Sequence, residues 1–291
     1  MIEITINGQG EISAKQFCTN PTVYLDLWAL MDFALDGSMI TAGNSLIQSL
    51  ADRSGTLALS WIHFLELSQL SDQSQLIQIV TFLQRMAPNF FFFEVIPKNV
   101  IERENSILRG DGIGAPHADD KFLKAFLLHK RQSVNPFSVG EFLRDFQQEK
   151  VLKMCQSFMA ELNEVIQSAR QMAKQNSTLG ARIKKVPLGP AIPHATRYIN
   201  IEAGRYLVRD KIKMSSQDWR DYFHMIVPLA YCDVLLLDRR WASKAQEIIR
   251  RLRQAGHKAQ MAQVFWKREL EGFLTALEAV PAKNDANLAF Q

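Results

Sequence analysis

Apolar residues along the chain fall in short unbroken runs closed by acids or turn formers, and these runs alternate with stretches of helical spacing. Thr22-Val23-Tyr24-Leu25 lies between Asn20-Pro21 and Asp26 and predicts a short strand buried on both faces. Helical spacing over 27–33, a Gly37-Ser38 break and a second helix over 42–51 follow. The run Thr56-Leu57-Ala58-Leu59 reads as a second strand, leading into a mostly buried helix over 61–67. An amphipathic helix over 74–86 stops near Pro88, and 90–96 (Phe90-Phe91-Phe92-Phe93-Glu94-Val95-Ile96) predicts a third strand closed by Pro97. Strand and helix in alternation predict an α/β fold with a parallel sheet.

The pattern changes after residue 100. Long helical spacing, for example over 121–131 and 139–175, carries no strand signal, and loops around Gly110–Pro116 and Pro187–Pro193 flank it. A strand returns at 234–237, then an Arg-rich helix over 242–254 and a further strand after Gly256. The expected organisation is a core split in sequence, 1–100 and 191–270, with a mainly helical insertion at 101–190 and a tail at 271–291.

With 47% hydrophobic and 22% charged residues in 291, the chain can bury a normal core, which excludes wholesale disorder. The longest apolar runs fall far short of the roughly 18 residues of a membrane span, and the N-terminus lacks a signal-peptide pattern. Three cysteines, Cys18, Cys155 and Cys232, are too scattered for a zinc knuckle or a disulfide framework. No membrane partner and a cytoplasmic location are expected. Charge is uneven: residues 1–100 hold four Lys/Arg against nine Asp/Glu, whereas 182–258 hold sixteen against seven. That basic excess suits nucleic-acid phosphates, and Arg239, Arg240, Lys244, Lys184 and Lys185 are its candidate contacts.

Candidate chemistry lies in acids that end apolar runs. Asp26 and Asp238 each follow a predicted strand, and in an open α/β sheet ligands bind outside the carboxyl ends of strands. Glu66 interrupts an apolar helix, where a carboxylate is costly to bury without a cationic partner. Asp221 and His224 share a helix face, Asp218 lies one turn earlier, and Asp233 opens the later strand. Carboxylates gathered at one crevice repel, and a divalent cation resolves this; oxygen-only donors select Mg²⁺ or Mn²⁺.

Val23-Tyr24-Leu25-Asp26, the stretch Ser60-Trp61-Ile62-His63-Phe64-Leu65-Glu66, Asp221-Tyr222-Phe223-His224 and the run from Ala230 to Asp238 together resemble a PIN-like domain. The resemblance covers about half the chain, roughly 20–100 and 215–265, and the helical middle has no counterpart in it. It implies a three-layer α/β/α fold with a central parallel sheet and a metal-dependent nuclease, acting on RNA in preference to DNA. It implies that Asp26, Glu66, Asp221 and Asp238 form the catalytic metal site, with Asp233 as an added ligand and His224 behind the ligands or facing phosphate. Asp218, Asp221 and Asp233 compete for the third position. By analogy with the family, a regulatory protein partner, as in toxin–antitoxin or defence systems, is also implied.

Each acid has a plainer reading. Asp26 suits a helix N-cap, Glu66 a buried pair with an arginine, and Asp238 a turn. Asp119-Asp120 suit the first turn of a helix, and Phe90–Phe93 a buried strand rather than a stacking platform. The Gly110–Gly114 stretch lacks the phosphate-loop spacing and a preceding strand. The alternatives to a nuclease are an inactive PIN-like scaffold or nucleic-acid-binding protein, and a small-molecule phosphohydrolase using the same cation.

Overall fold

A computed structural model of the chain describes residues 2–6, 12–86, 89–112, 114–120, 122–123, 138–149, 151–153, 155–157, 159–160, 195–209 and 215–281. It opens with an antiparallel hairpin of β1 (Ile2–Ile6) and β2 (Ile12–Gln16). This hairpin is not among the predicted elements, although Ile2, Ile4 and Ile6 alternate with polar residues. Then come β3 (Thr22–Leu25), α1 (Leu27–Leu35), α2 (Ile40–Asp52), β4 (Thr56–Leu59), α3 (Trp61–Ser68), α4 (Gln73–Gln84), β5 (Phe90–Phe92) and α5 (Pro97–Leu108). After α6 (Val139–Phe146) and α7 (Thr196–Arg209), the chain continues with α8 (Ser216–Tyr231), β6 (Val234–Leu236), α9 (Arg239–Gln254) and β7 (Gln263–Phe265). A 3₁₀ turn (Lys267–Glu269) and α10 (Leu270–Ala279) close the described chain.

The α/β class and the parallel sheet are as the alternation predicts. Five strands run in the order β5-β4-β3-β6-β7, all parallel, an arrangement compatible with three α/β/α layers. β3 is central, with Val23 opposite both Leu57 of β4 and Val234 of β6. Val23, Tyr24, Leu25, Leu57, Ala58, Leu235 and the three phenylalanines of β5 are fully buried, because a parallel sheet covered on both faces favours near-continuous apolar runs. Each such large side chain contributes about 1.5–3 kcal/mol by leaving water. From β3 the chain steps outward through β4 to β5, and later returns on the other flank through β6 to β7. The connections therefore diverge between β3 and β6, the switch point where open α/β sheets bind ligands.

The third strand ends at Phe92, short of the predicted 96. Glu94 stops it: its carboxylate accepts from Ile96 N at 3.1 Å and Asn99 Nδ2 at 2.9 Å, and pairs with Arg103 at 2.7 Å. That carboxylate sits at the start of α5, where negative charge suits the helix dipole.

Side chains engage both outer edges of the sheet. On β5, Phe92 N donates to Gln16 Oε1 at 2.7 Å, and Phe92 O accepts from Asp119 N at 2.8 Å. On β7, Gln246 Nε2 of α9 donates to Val264 O at 3.0 Å.

The described parts of the middle region lie on the core. α5 packs on α7 and α8, and α6 packs on α3 and α4, with Phe146 stacked against Phe64 and Phe122. The segments predicted helical over 124–131 and 161–175, and the loop at Pro187–Pro193, lie outside the described residues. The segment expected as a tail from 271 begins instead as α10, which buries Phe273 and Leu277 and packs on α2, β6 and β7. Its apolar spacing outweighs its position near the terminus. Among the described residues, no helix is long and apolar enough to cross a membrane.

Helices α1 and α2 meet at Gly43, where an added Cβ would lie 2.9 Å from both Cβ and O of Phe33 and 3.2 Å from the Phe82 ring. Gly43→Val should therefore cost about 2 kcal/mol through overpacking. A lower urea midpoint at unchanged slope checks this, and an unchanged midpoint would contradict so close an approach.

Candidate functional site

The site forms where β3 and β6 end side by side. Leu25 is level with Leu236, and Asp26 N donates to Leu236 O at 2.9 Å, so the two strands release Asp26 and Asp238 together. Asp26 caps α1: Oδ1 accepts from Leu27 N at 2.7 Å, while Oδ2 accepts from Asp238 N at 3.3 Å. Asp238 caps α9 through Oδ1, which accepts from Arg240 N at 2.7 Å and Trp241 N at 3.3 Å. The capping role expected of Asp26 is thus real, and Asp238, expected as a turn, is also a helix cap. Two carboxylate oxygens offer about four acceptor sites, so capping does not exhaust either group.

Helix α3 is fixed beside them by a buried histidine. His63 donates from Nε2 to Leu25 O at 2.8 Å, and its Nδ1 accepts from Ser60 N at 3.0 Å. Burial, helped by the charge on His224, pushes His63 down to about 3, so it stays neutral as this pattern requires. One turn on, Glu66 meets α8: Arg220 Nε lies 2.8 Å from Oε1, and His224 Nε2 lies 3.6 Å from Oε2. His224 Nδ1 contacts the buried Tyr24 hydroxyl through a short hydrogen bond.

Asp221, between those two cations in sequence, accepts from Trp241 Nε1 at 3.1 Å. Trp241 is only 3% exposed, so it anchors Asp221 to the first turn of α9. Asp218 caps α8 and ion-pairs with Arg240.

Electrostatics separate these acids. Burial raises Asp26 to about 7; His224 works against this, while Asp221, Glu66 and Asp238 add to it. Burial also raises Asp238, offset by the N–H groups of Arg240 and Trp241. Burial alone would raise Glu66, but His224 and Arg220 outweigh it and hold it below the usual carboxylate range. His224 is the converse: burial opposes its charge, and Glu66, Asp26 and Asp221 restore it. Asp238 Oδ2 is buried and accepts no hydrogen bond among the described residues.

The structure therefore brings Asp26, Glu66, Asp221, Asp238 and His224 into one electrostatic neighbourhood, with Asp218 on its rim. It does not bring Asp233 there. Asp233 precedes β6 and accepts from Thr22 N at 2.8 Å, at the opposite end of the sheet. That is four residues, about 13 Å, from the level of Asp26. An acid opening a strand and one closing it cannot share a site. Among the described residues, no group of three or more His, Cys, Asp or Glu stands as a ready-made metal cage. Asp26, Asp221 and Asp238 present oxygen donors only, the type a hard cation prefers, whereas Glu66 is already paired with Arg220 and His224.

Of the basic candidates, Arg239 and Arg240 are exposed at the start of α9, and Lys244 lies over Trp241; Lys184 and Lys185 lie outside the described residues. Part of the basic excess is neutralised internally, since Arg205 and Arg251 pair with Glu202 and Arg250 with Glu247. The residues sequence reasoning missed are Arg220, Tyr24 and Trp241. Arg220 had a signal, lying one turn before His224 on the same face.

Fold and site together define an α/β protein with an open parallel sheet and an acidic cluster at its switch point. No protein-family model matches the chain, and neither does any curated protein or solved structure.

Two outcomes are expected. Arg220→Ala leaves Glu66 buried beside one remaining cation and should cost about 3 kcal/mol in thermal or urea unfolding; a cost under 1 would mean solvent already screens the pair. Asp26 binds its proton more tightly folded, at about 7, than at its ordinary 3.8. The folded state thus holds the extra proton between these values, and this group's contribution to stability falls as pH rises through the window. With EDTA present, Asp26→Asn should be more stable than wild type near roughly pH 8, and the gap should close toward roughly pH 4. A gap that does not change with pH would show an unshifted Asp26, and one that widens on acidification a lowered one.

Proposed function

We propose that the chain is a divalent-cation-dependent nuclease hydrolysing phosphodiester bonds in RNA, on a PIN-like form of the α/β/α fold. The observation that carries this reading is Asp26. It stands at the end of the central strand, raised to about 7 by burial and by the field of Asp221, Glu66 and Asp238, beside the unsatisfied Asp238 Oδ2. Such an arrangement is unfavourable alone and is relieved by Mg²⁺ or Mn²⁺.

Asp26, Asp221 and Asp238 would hold the cation. When bound, it supplies charge neutralisation toward phosphate and acidifies water. The chain's own residues do the rest. Trp241 and the Glu66–Arg220–His224 contacts fix α8, and so orient Asp221. Arg239 and Arg240, next to Asp238, are placed to meet the phosphate backbone. Such an enzyme needs restraint in its host, and a regulatory protein partner, as in toxin–antitoxin or defence systems, belongs to this proposal.

One observation favours a second reading, a non-catalytic nucleic-acid-binding scaffold on the same fold. Glu66 and Asp218 already carry protein cations, which lowers the demand for a metal. Cleavage of labelled single-stranded RNA and DNA with Mn²⁺ or with EDTA separates the two. Wild type should cut RNA only with Mn²⁺, and Asp26→Asn should lose at least about a hundredfold in rate. No cutting, together with no Asp26-dependent heat on Mn²⁺ titration, would establish the scaffold.

A further inference from the structure

We propose that Trp266, Arg239 and Arg268 form a platform that grips single-stranded RNA beside the acidic cluster. This deepens the nuclease reading and rests on it for the identity of the ligand.

Position comes first. Leu237 N donates to Phe265 O at 2.9 Å, so β6 and β7 release Asp238 and Trp266 side by side at the carboxyl edge of the sheet. Arg239 follows Asp238 directly, and Arg268 lies in the 3₁₀ turn after Trp266. The guanidinium carbons of Arg239 and Arg268 lie 5.1 and 5.6 Å from the centroid of the Trp266 ring. Both arginines are exposed and the indole is half-buried.

Charge is the second point. Arg240 pairs with Asp218, Arg250 and Arg251 with Glu247, and Lys267 with Asp32. Among the described residues, neither Arg239 nor Arg268 makes an ion pair. Two like charges held on one indole without a carboxylate suit an anion that bridges them, and a planar guanidinium fork matches phosphate oxygens. Indole and guanidinium planes also stack on bases whatever their sequence. Stacking needs unpaired bases, so the fitting ligand is a single strand rather than a duplex.

The neighbouring aromatic cluster serves a different end. Arg240 and Lys244 lie over Trp241, but Trp241 is buried and its N–H is committed to Asp221. That cluster holds the acids in place, while Trp266 packs against the core and remains partly exposed.

The test is fluorescence anisotropy of a labelled oligouridylate of about twelve nucleotides, a length within the usual site size. It is run in EDTA so that the strand stays whole. Arg268→Ala and Trp266→Ala should each weaken binding about tenfold. Arg268→Ala should also reduce the slope of log affinity against log salt by about 0.7. Arg253→Ala removes the same charge from the exposed far end of α9, about 21 Å from Arg239, and should change affinity less than about twofold. Circular dichroism melts verify folding, and the exposed Arg268 carries the test if Trp266→Ala unfolds. Equal effects of Arg268→Ala and Arg253→Ala, or no binding by wild type, overturn the platform. Mn²⁺-dependent cutting with unchanged Arg268→Ala affinity removes the platform alone; Arg268-dependent binding without any cutting removes the nuclease reading alone.

Discussion

The structure depends on a central strand that is hydrogen-bonded on both edges and buried on both faces. With four buried residues, β3 has no side chain free to contact water, so a charged group enters only where the strand stops. Asp26 is that stop. Its backbone continues the ladder to β6 while its side chain starts α1, and both tasks hold the carboxylate still in a place that disfavours its charge. The neighbouring elements add to this rather than relieve it: β6 delivers Asp238, and α8 delivers Asp221. An unfavourable carboxylate held by the core is strain that a ligand can release.

Much of this was legible in the chain. Apolar runs closed by Asp26 and Asp238 located two strands and the Asp26 cap, because a doubly buried strand reads as an uninterrupted run; the Asp238 cap was read as a turn. The order of the remaining strands across the sheet was not legible, since pairing joins residues more than two hundred apart, such as Val23 and Val234. Asp233 shows the limit most directly. In sequence it stands as close to the strand as Asp238 does, yet strand direction sends the two to opposite ends of the sheet. The partners of Glu66 were half legible: a buried acid calls for a cation, but only the packing of α3 against α8 says that Arg220 and His224 answer it. Phe273 and Leu277 were apolar at helical spacing, and proximity to the terminus obscured them.

The acids at the switch point divide into two kinds by what faces them. Glu66 meets cationic side chains, Asp218 meets the Ser215 N–H and hydroxyl together with Arg240, and both are held in their charged forms. Asp26 and Asp238 meet backbone N–H groups and other carboxylates, and burial raises both. The carboxyl end of the sheet thus carries both a neutralised support and an unneutralised face, and the support keeps α8 and α9 in register with the sheet.

The two glutamines at the sheet margins bear on how this protein meets others. Gln16 takes up the Phe92 N–H and Gln246 the Val264 carbonyl, so the outermost strands each offer one fewer backbone group to a foreign strand. Donor-strand exchange and edge-to-edge polymerisation need an uninterrupted row of such groups. A strand adding at either end of the sheet would therefore have to displace a glutamine side chain already bonded to the edge.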